Sequence, residues 1–316
     1  MRPFFVTLIL LTQLMTTSPG LALDMQATEE IILETEKYRS FFLSFPSTGE
    51  NGQEGNLATA HYFKSKTSGK KKLVIILPIY GSSTYPQEIM SMHFTEWDNE
   101  SDTNVLLLHG KEDLFDWDLL AQVKTQEEFL ASIKRSVKTI KTVTADIERL
   151  IDWIATRPEI DPQRMGIIGF SIGAIIASNL MGLDNRISLG VFVMGGGNVH
   201  EIFSRSNAPF MKRLQKNAET LGVKKDALRE ILKPLLVPFE PLNRLRKINP
   251  DKILIFEAGL DDFIPKSSRN AFWEALGKPK RVILPYRHKT AFLFSMTILG
   301  FNYLDRAVAE FVRKKL

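Results

Sequence analysis

Apolar and polar positions fall in blocks along this chain, and the blocks sort into two periods. Lys72–Pro78, Asn104–His109, Met165–Ile168, Ser188–Met194, Lys252–Glu257 and Arg281–Leu284 are short, nearly continuous apolar runs bounded by glycine, proline or polar turns. Too short for helices, they predict strands buried on both faces. Between them the period lengthens. Leu130, Ile133, Val137, Ile140, Val143, Ile147, Ile151 and Ile154 recur every three or four residues, which predicts one long helix over Thr125–Ala155, stopped by Pro158 and Pro162. Helical spacing returns in Ala174–Met181, around Phe272–Leu276 and in Phe301–Val312, and Tyr85–Trp97 has room for a short helix. Tyr38–Pro46 and Asn56–Lys64 read as an antiparallel strand pair at the sheet edge, joined by the turn-forming STGENGQEG. Residues 23–37 are polar-rich with helical apolar spacing and predict a surface lead-in. Strands alternating with helices predict an α/β fold, a mostly parallel central sheet with helices on both faces.

One stretch breaks the rhythm. More than fifty residues separate Met194 from Lys252, far beyond an ordinary connection. Helical pieces at Pro209–Leu221 and Lys225–Leu235 mark residues 198–250 as a helical cap insertion over the mouth of a site; a peripheral elaboration is the other reading. Residues 201–250 carry 11 Lys/Arg against 5 Asp/Glu, so this insert holds more positive charge than the net +5 of the whole chain. A solvated basic face is the default for such a run, with an anionic substrate or acidic surface second.

Composition narrows the class. At 316 residues, 44% hydrophobic and 24% charged, the chain can bury a full core. The net charge is modest and no zinc-finger, recognition-helix or RNA-binding pattern accompanies it, so no nucleic-acid partner is expected. Residues 1–22 have the form of a secretory signal peptide: Arg2, a mostly apolar Phe4–Met15, then Gly20-Leu21-Ala22 as the small-x-small cleavage site. Thr7, Thr12 and Gln13 interrupt a run already shorter than the roughly 20 residues that span a bilayer, so no stable membrane span is expected after cleavage. The mature chain, 23–316, is expected as a single domain in the periplasm or outside the cell. There is no cysteine, hence no disulfide, lipidation site or thiolate metal site.

The chemistry centres on Gly169-Phe170-Ser171-Ile172-Gly173, between the Met165–Ile168 strand and the Ala174–Met181 helix. Strand, G-x-S-x-G, helix is the context of a nucleophile elbow, a strained turn that lifts the serine above the sheet edge. The two glycines remove Cβ atoms that would collide as the turn tightens. A serine hydroxyl needs a positioned base. In the chain order serine, acid, histidine, only His200 and His288 follow Ser171. His288 sits just after the last strand, where a loop at the strands' C-terminal edge can reach the serine; His200 begins the insert and reads as a surface or cap residue. His61, His93 and His109 precede the elbow, and His109-Gly110 stands one strand too late for an oxyanion His-Gly pair. The acid is expected at the exit of the Lys252–Glu257 strand, in Ala258-Gly259-Leu260-Asp261-Asp262-Phe263-Ile264-Pro265. Its spacing to Pro265 favours Asp261; Asp262 is the alternative, or a turn-forming residue, and Glu257 is weaker. Oxyanion donors are expected from the Ile172 N–H and from Tyr80 or Gly81 after the Lys72–Pro78 strand, unless Tyr80 merely packs on the sheet. No His/Asp/Glu cluster has metal-ligand spacing, and neither metal nor cofactor is expected.

PIYG, DWIATRPEIDPQRMGIIGFSIGA, AGLDDFIP and LPYRHKTAF together resemble the α/β-hydrolase superfamily, nearest its dienelactone-hydrolase and acetyl-esterase-like branch, over roughly residues 70–315. The resemblance implies Ser171 as nucleophile, Asp261 as acid, His288 as base, and Tyr80 with Ile172 as oxyanion donors. Two features depart from it. Many relatives have glycine before the base, where this chain has Arg287, and dienelactone hydrolases proper use a cysteine that this chain lacks. The function implied is an exported serine hydrolase cleaving small-molecule carboxylic esters through an acyl-enzyme. A serine peptidase or thioesterase, and a catalytically silent binding protein of the same fold, are the alternatives.

Overall fold

The structure is a computed structural model, and it describes residues 27–47, 57–80, 85–110, 114–245, 248–296 and 302–316. The elements in chain order are β1 (Thr28–Glu34), β2 (Tyr38–Pro46), β3 (Leu57–Ser65), β4 (Lys71–Leu77), α1 (Tyr85–Met92), β5 (Thr103–Leu108), α2 (Trp117–Leu120), α3 (Gln126–Ala155), β6 (Ile160–Phe170), α4 (Ile172–Leu183) and β7 (Ile187–Val193). There follow α5 (Val199–Arg205), α6 (Pro209–Thr220), α7 (Lys225–Leu236), β8 (Ile253–Ala258), α8 (Lys266–Ala275), β9 (Lys280–Leu284), α9 (His288–Ser295) and α10 (Tyr303–Lys315).

The strands form one sheet in the order β1-β2-β3-β5-β4-β6-β7-β8-β9. From β5 to β9 every neighbouring pair is parallel, and β1, β2 and β3 add an antiparallel flank. β4 and β5 are buried along their full length because helices cover both faces. One face packs on α3, α4 and the insert, the other on α1, α9 and α10. α3 starts on a capping box. The Thr125 hydroxyl accepts from the Glu128 N–H, and the Glu128 carboxylate accepts from the Thr125 N–H, an arrangement worth about 1 kcal/mol.

Two expectations need correction. The lead-in is no helix: Thr28–Glu34 is extended and pairs antiparallel with β2, so β1 rather than the β2–β3 pair forms this sheet edge. The ladder with β2 supplies main-chain partners that a lone exposed helix would have to find within itself, and all seven residues of β1 stay exposed. His288 does not sit in a loop but opens α9.

The insert is part of the body of the protein. Ile202, Phe203, Met211, Leu214, Leu228, Leu232 and Leu236 join the same buried cluster as α3 and α4. The buried Glu240 carboxylate accepts from the Asn198 and Val199 N–H groups at 2.9 and 2.7 Å, clasping the two ends of the insert together.

Candidate active site

β6 runs at the centre of the parallel sheet and ends at Phe170; α4 begins at Ile172. Ser171, alone between them, is held at φ +53° and ψ −117°, a conformation that L residues avoid. Its N–H donates to the Val193 carbonyl on β7 at 2.8 Å, tying the strained residue to the neighbouring strand exit. The flanking glycines are steric necessities. A Cβ on Gly169 would lie 2.4 Å from the Gly173 carbonyl oxygen, and one on Gly173 would lie 2.2 Å from the Pro78 carbonyl oxygen. No carbon approaches oxygen that closely, so the β4 exit and the first turn of α4 can meet only through glycine.

The structure brings three distant side chains together at this edge. Ser171 Oγ lies 2.9 Å from His288 Nε2, and His288 Nδ1 lies 2.8 Å from Asp261 Oδ2. The histidine and aspartate side chains are buried, at 4% and 0% exposure, so this pair is held out of water. The other oxygen of Asp261, Oδ1, accepts from the Phe263 and Ile264 N–H groups at 2.8 and 2.9 Å. Three hydrogen bonds therefore converge on one carboxylate, which fixes its orientation and stabilises its charge.

Asp262 takes no part. Its Oδ2 lies 3.8 Å from the exposed Arg287 guanidinium, and its main-chain carbonyl accepts from the Asn207 N–H and the Ser206 hydroxyl of the insert. Glu257 lies on β8, buried between Arg269 and Arg281 at 3.2 and 3.3 Å. His200 sits on α5, where burial lowers its pKa. His93 lies 3.0 Å from the buried Asp305, and His61 packs edge-on to His109 with ring centres 4.4 Å apart. Only His288 of the five histidines reaches Ser171.

Of the expected oxyanion donors, Ile172 supplies the first N–H of α4, a 12-residue helix whose N-terminus carries partial positive charge. Tyr80 adopts φ +35° just after the β4 exit. Its ring packs on the core and lines a cavity of about 70 Å³ with His109, Val143, Asp146 and Leu150, and burial, then Asp146, pushes its phenol pKa up. The side chain is thus engaged in that cavity, and the oxyanion role expected of Tyr80 rests on its main chain. Gly81 lies outside the described residues, as does the expected signal peptide. Among the described residues no group of three or more His, Asp and Glu converges as a metal site, and no helix is long and apolar enough to cross a membrane.

Periodicity along the chain carries no trace of the aromatic rings that pack around the His288 imidazole. Phe263 stacks on the His288 imidazole, 4.6 Å between centres and 19° between planes. Phe210 of α6 meets Phe263 at 5.4 Å, and Trp117 of α2 meets Phe210 at 4.8 Å. Phe263 stands two residues after Asp261 and was within reach of sequence reasoning. Trp117 and Phe210 were not, because nothing local links them.

No known family model and no curated protein matches the sequence. The fold, by contrast, has many solved likenesses. It is similar to an acetyl xylan esterase from Paenibacillus sp. R4, with a TM-score of 0.66 at 16% identity over 92% of this chain and 89% of that one. It is similar to acetyl xylan esterase 1 from Thermoanaerobacterium sp. JW/SL YS485, at 0.63 and 16% over 92% and 88%. It is also similar to the acylaminoacyl peptidase of Pyrococcus horikoshii, at 0.55 and 13%, where 89% of this chain matches 42% of that larger one.

Proposed function

The chain has the α/β-hydrolase fold, and from that premise we propose that it is an exported serine hydrolase cleaving carboxylic esters through an acyl-enzyme on Ser171. The observation that carries this reading is the unbroken relay from Ser171 Oγ through His288 to Asp261, at 2.9 and 2.8 Å. In the first half-reaction His288 Nε2 takes the Ser171 proton as Oγ bonds to the ester carbonyl carbon. Asp261 holds the imidazole with Nε2 free to accept and stabilises the imidazolium that forms. Negative charge then develops on the former carbonyl oxygen, beside the N-terminus of α4. The Ile172 N–H is the first donor there and the main chain at Tyr80 or Gly81 the second, each such donor being worth roughly 10²–10³ in rate.

Collapse of this intermediate breaks the ester C–O bond, and the imidazolium returns its proton to the departing alcohol. Water then adds to the acyl carbon while Nε2 takes its proton. The C–Oγ bond breaks, Ser171 recovers the proton, and the free acid leaves. Every atom and charge is accounted for by the three side chains and water. Residues 1–22 serve as the export signal in this reading, and residues 198–250 form a cap, supported by the contacts of Ser206, Asn207 and Phe210 with the Asp262–Phe263 loop.

Two of the similar folds belong to enzymes described as acetyl xylan esterases, which favours esters over other acyl compounds. The likeness to an acylaminoacyl peptidase supports a second reading, hydrolysis of an acylated amine by the same relay. Purified protein incubated with a fluorophosphonate should be labelled on Ser171, and short p-nitrophenyl esters should be turned over. Ser171→Ala should abolish the label and lower turnover by about 10⁴–10⁶-fold. A near-normal rate in that variant rejects the mechanism, and an amide-over-ester preference transfers the assignment to the second reading.

A further inference from the structure

Resting on the ester-hydrolase reading, we infer that the half-buried rings of Phe263, Phe210 and Trp117 form a leaving-group subsite that selects esters of alcohols carrying a flat apolar ring. The chemistry of proton return places this subsite. His288 Nε2 must come within hydrogen-bond reach of the departing alcohol oxygen, so the body of the alcohol leaves alongside the imidazole. Phe292 meets that imidazole edge-on at 5.9 Å and is itself 7% exposed, so it leaves little room for a ligand where it packs. Phe263 stacks on the same imidazole at 4.6 Å, and the ring series runs on from it through Phe210 at 5.4 Å to Trp117 at 4.8 Å.

These three rings are neither core nor free surface. Each is partly buried, and each packs on the main cluster while keeping part of its area in solvent. Behind Trp117 the buried Phe115 and Phe203 lie at 4.7 and 5.7 Å and hold the indole in place. The wall is preorganised, so a ligand ring loses little by ordering it. Successive planes meet at 53° and 60°, which makes a stepped wall offering both edges and faces to an inserted ring. Its members come from three parts of the chain: α2, α6 of the insert, and the loop that also holds Asp261. The insert thereby contributes directly to substrate choice.

The test compares acetates that share the acyl group and differ in the alcohol: ethyl, benzyl and 2-naphthylmethyl acetate. Unmodified protein should favour the naphthylmethyl over the ethyl ester in kcat/KM. Phe210→Leu and Trp117→Leu, which keep apolar volume without the ring, should each lower that ratio about three- to ten-fold, mainly through KM. Trp97→Leu, an exposed indole beside His93 rather than the imidazole of His288, should leave the ratio unchanged. A ratio unmoved by both Phe210→Leu and Trp117→Leu overturns the subsite while ester hydrolysis stands. Absence of turnover on every ester, with Ser171 unlabelled by fluorophosphonate, overturns the ester-hydrolase reading and the subsite with it.

Discussion

Gly173→Ala tests the architecture of the site with a single methyl group. The added Cβ would stand 2.2 Å from the Pro78 carbonyl oxygen and 3.2 Å from that of Leu77, both main-chain atoms of the β4 exit that cannot rotate away. Ordinary contact requires about 1 Å more, so α4 and the β4 exit must move apart by that distance or tilt equivalently. Strain of this kind costs about 1–3 kcal/mol, which for a chain of this size lowers the melting temperature by roughly 1.5–5 °C. The effect on rate should be larger. The displaced pieces are the two that carry the proposed oxyanion donors, Ile172 at the start of α4 and the main chain near Tyr80. A misplacement of about 1 Å at such donors is worth roughly 10²-fold in turnover. The assay pairs thermal unfolding with steady-state kinetics on a p-nitrophenyl ester, and fluorophosphonate labelling reports whether Ser171 remains reactive. A variant with unchanged melting temperature and kcat would refute the reasoning, because it would show that the close approach at Gly173 is unnecessary to both fold and site.

Asp261→Asn should lower kcat by about 10⁴, since an amide cannot hold the imidazole in the working tautomer, whereas Asp262→Asn should stay within a few-fold; equal losses in the two variants would contradict the assignment of the acid. Burial, reinforced by His61, depresses the His109 pKa to about 4 from its usual 6.5. The unfolded chain therefore binds more protons between those values, and the contribution of neutral His109 to stability is complete above pH 6.5 and is lost as pH falls toward 4. Denaturant titrations of His109→Gln across that window should show a flatter pH dependence than the unmodified protein. Glu257→Gln leaves the buried Arg269 and the half-buried Arg281 without their shared carboxylate and should destabilise the fold by about 3 kcal/mol in urea, with fluorophosphonate labelling of Ser171 retained in the folded state.

Most of the sheet was legible in the sequence because parallel strands buried on both faces leave continuous apolar runs, and β4, β5, β7 and β8 are such runs. The stripe of α3 was legible for the corresponding helical reason, its period repeating over 30 residues. β1 was misread, because an exposed edge strand has no buried face to impose alternation, and its extended state is decided by the neighbour it pairs with.

By itself the amino-acid sequence determined the strand–glycine–serine–helix turn, since only glycine tolerates the approach of two backbones there and that requirement is local. It also narrowed the candidates for a base to two histidines and those for an acid to a few neighbouring carboxylates. Only the tertiary structure shows that Asp261, rather than Asp262, meets the His288 ring. Adjacent side chains in a turn point in different directions, and which one meets His288 depends on how the β8 exit lies against α9. It alone assembled Trp117, Phe210 and Phe263 beside the imidazole, because contact between rings separated by dozens of residues is a property of packing, which no local pattern encodes.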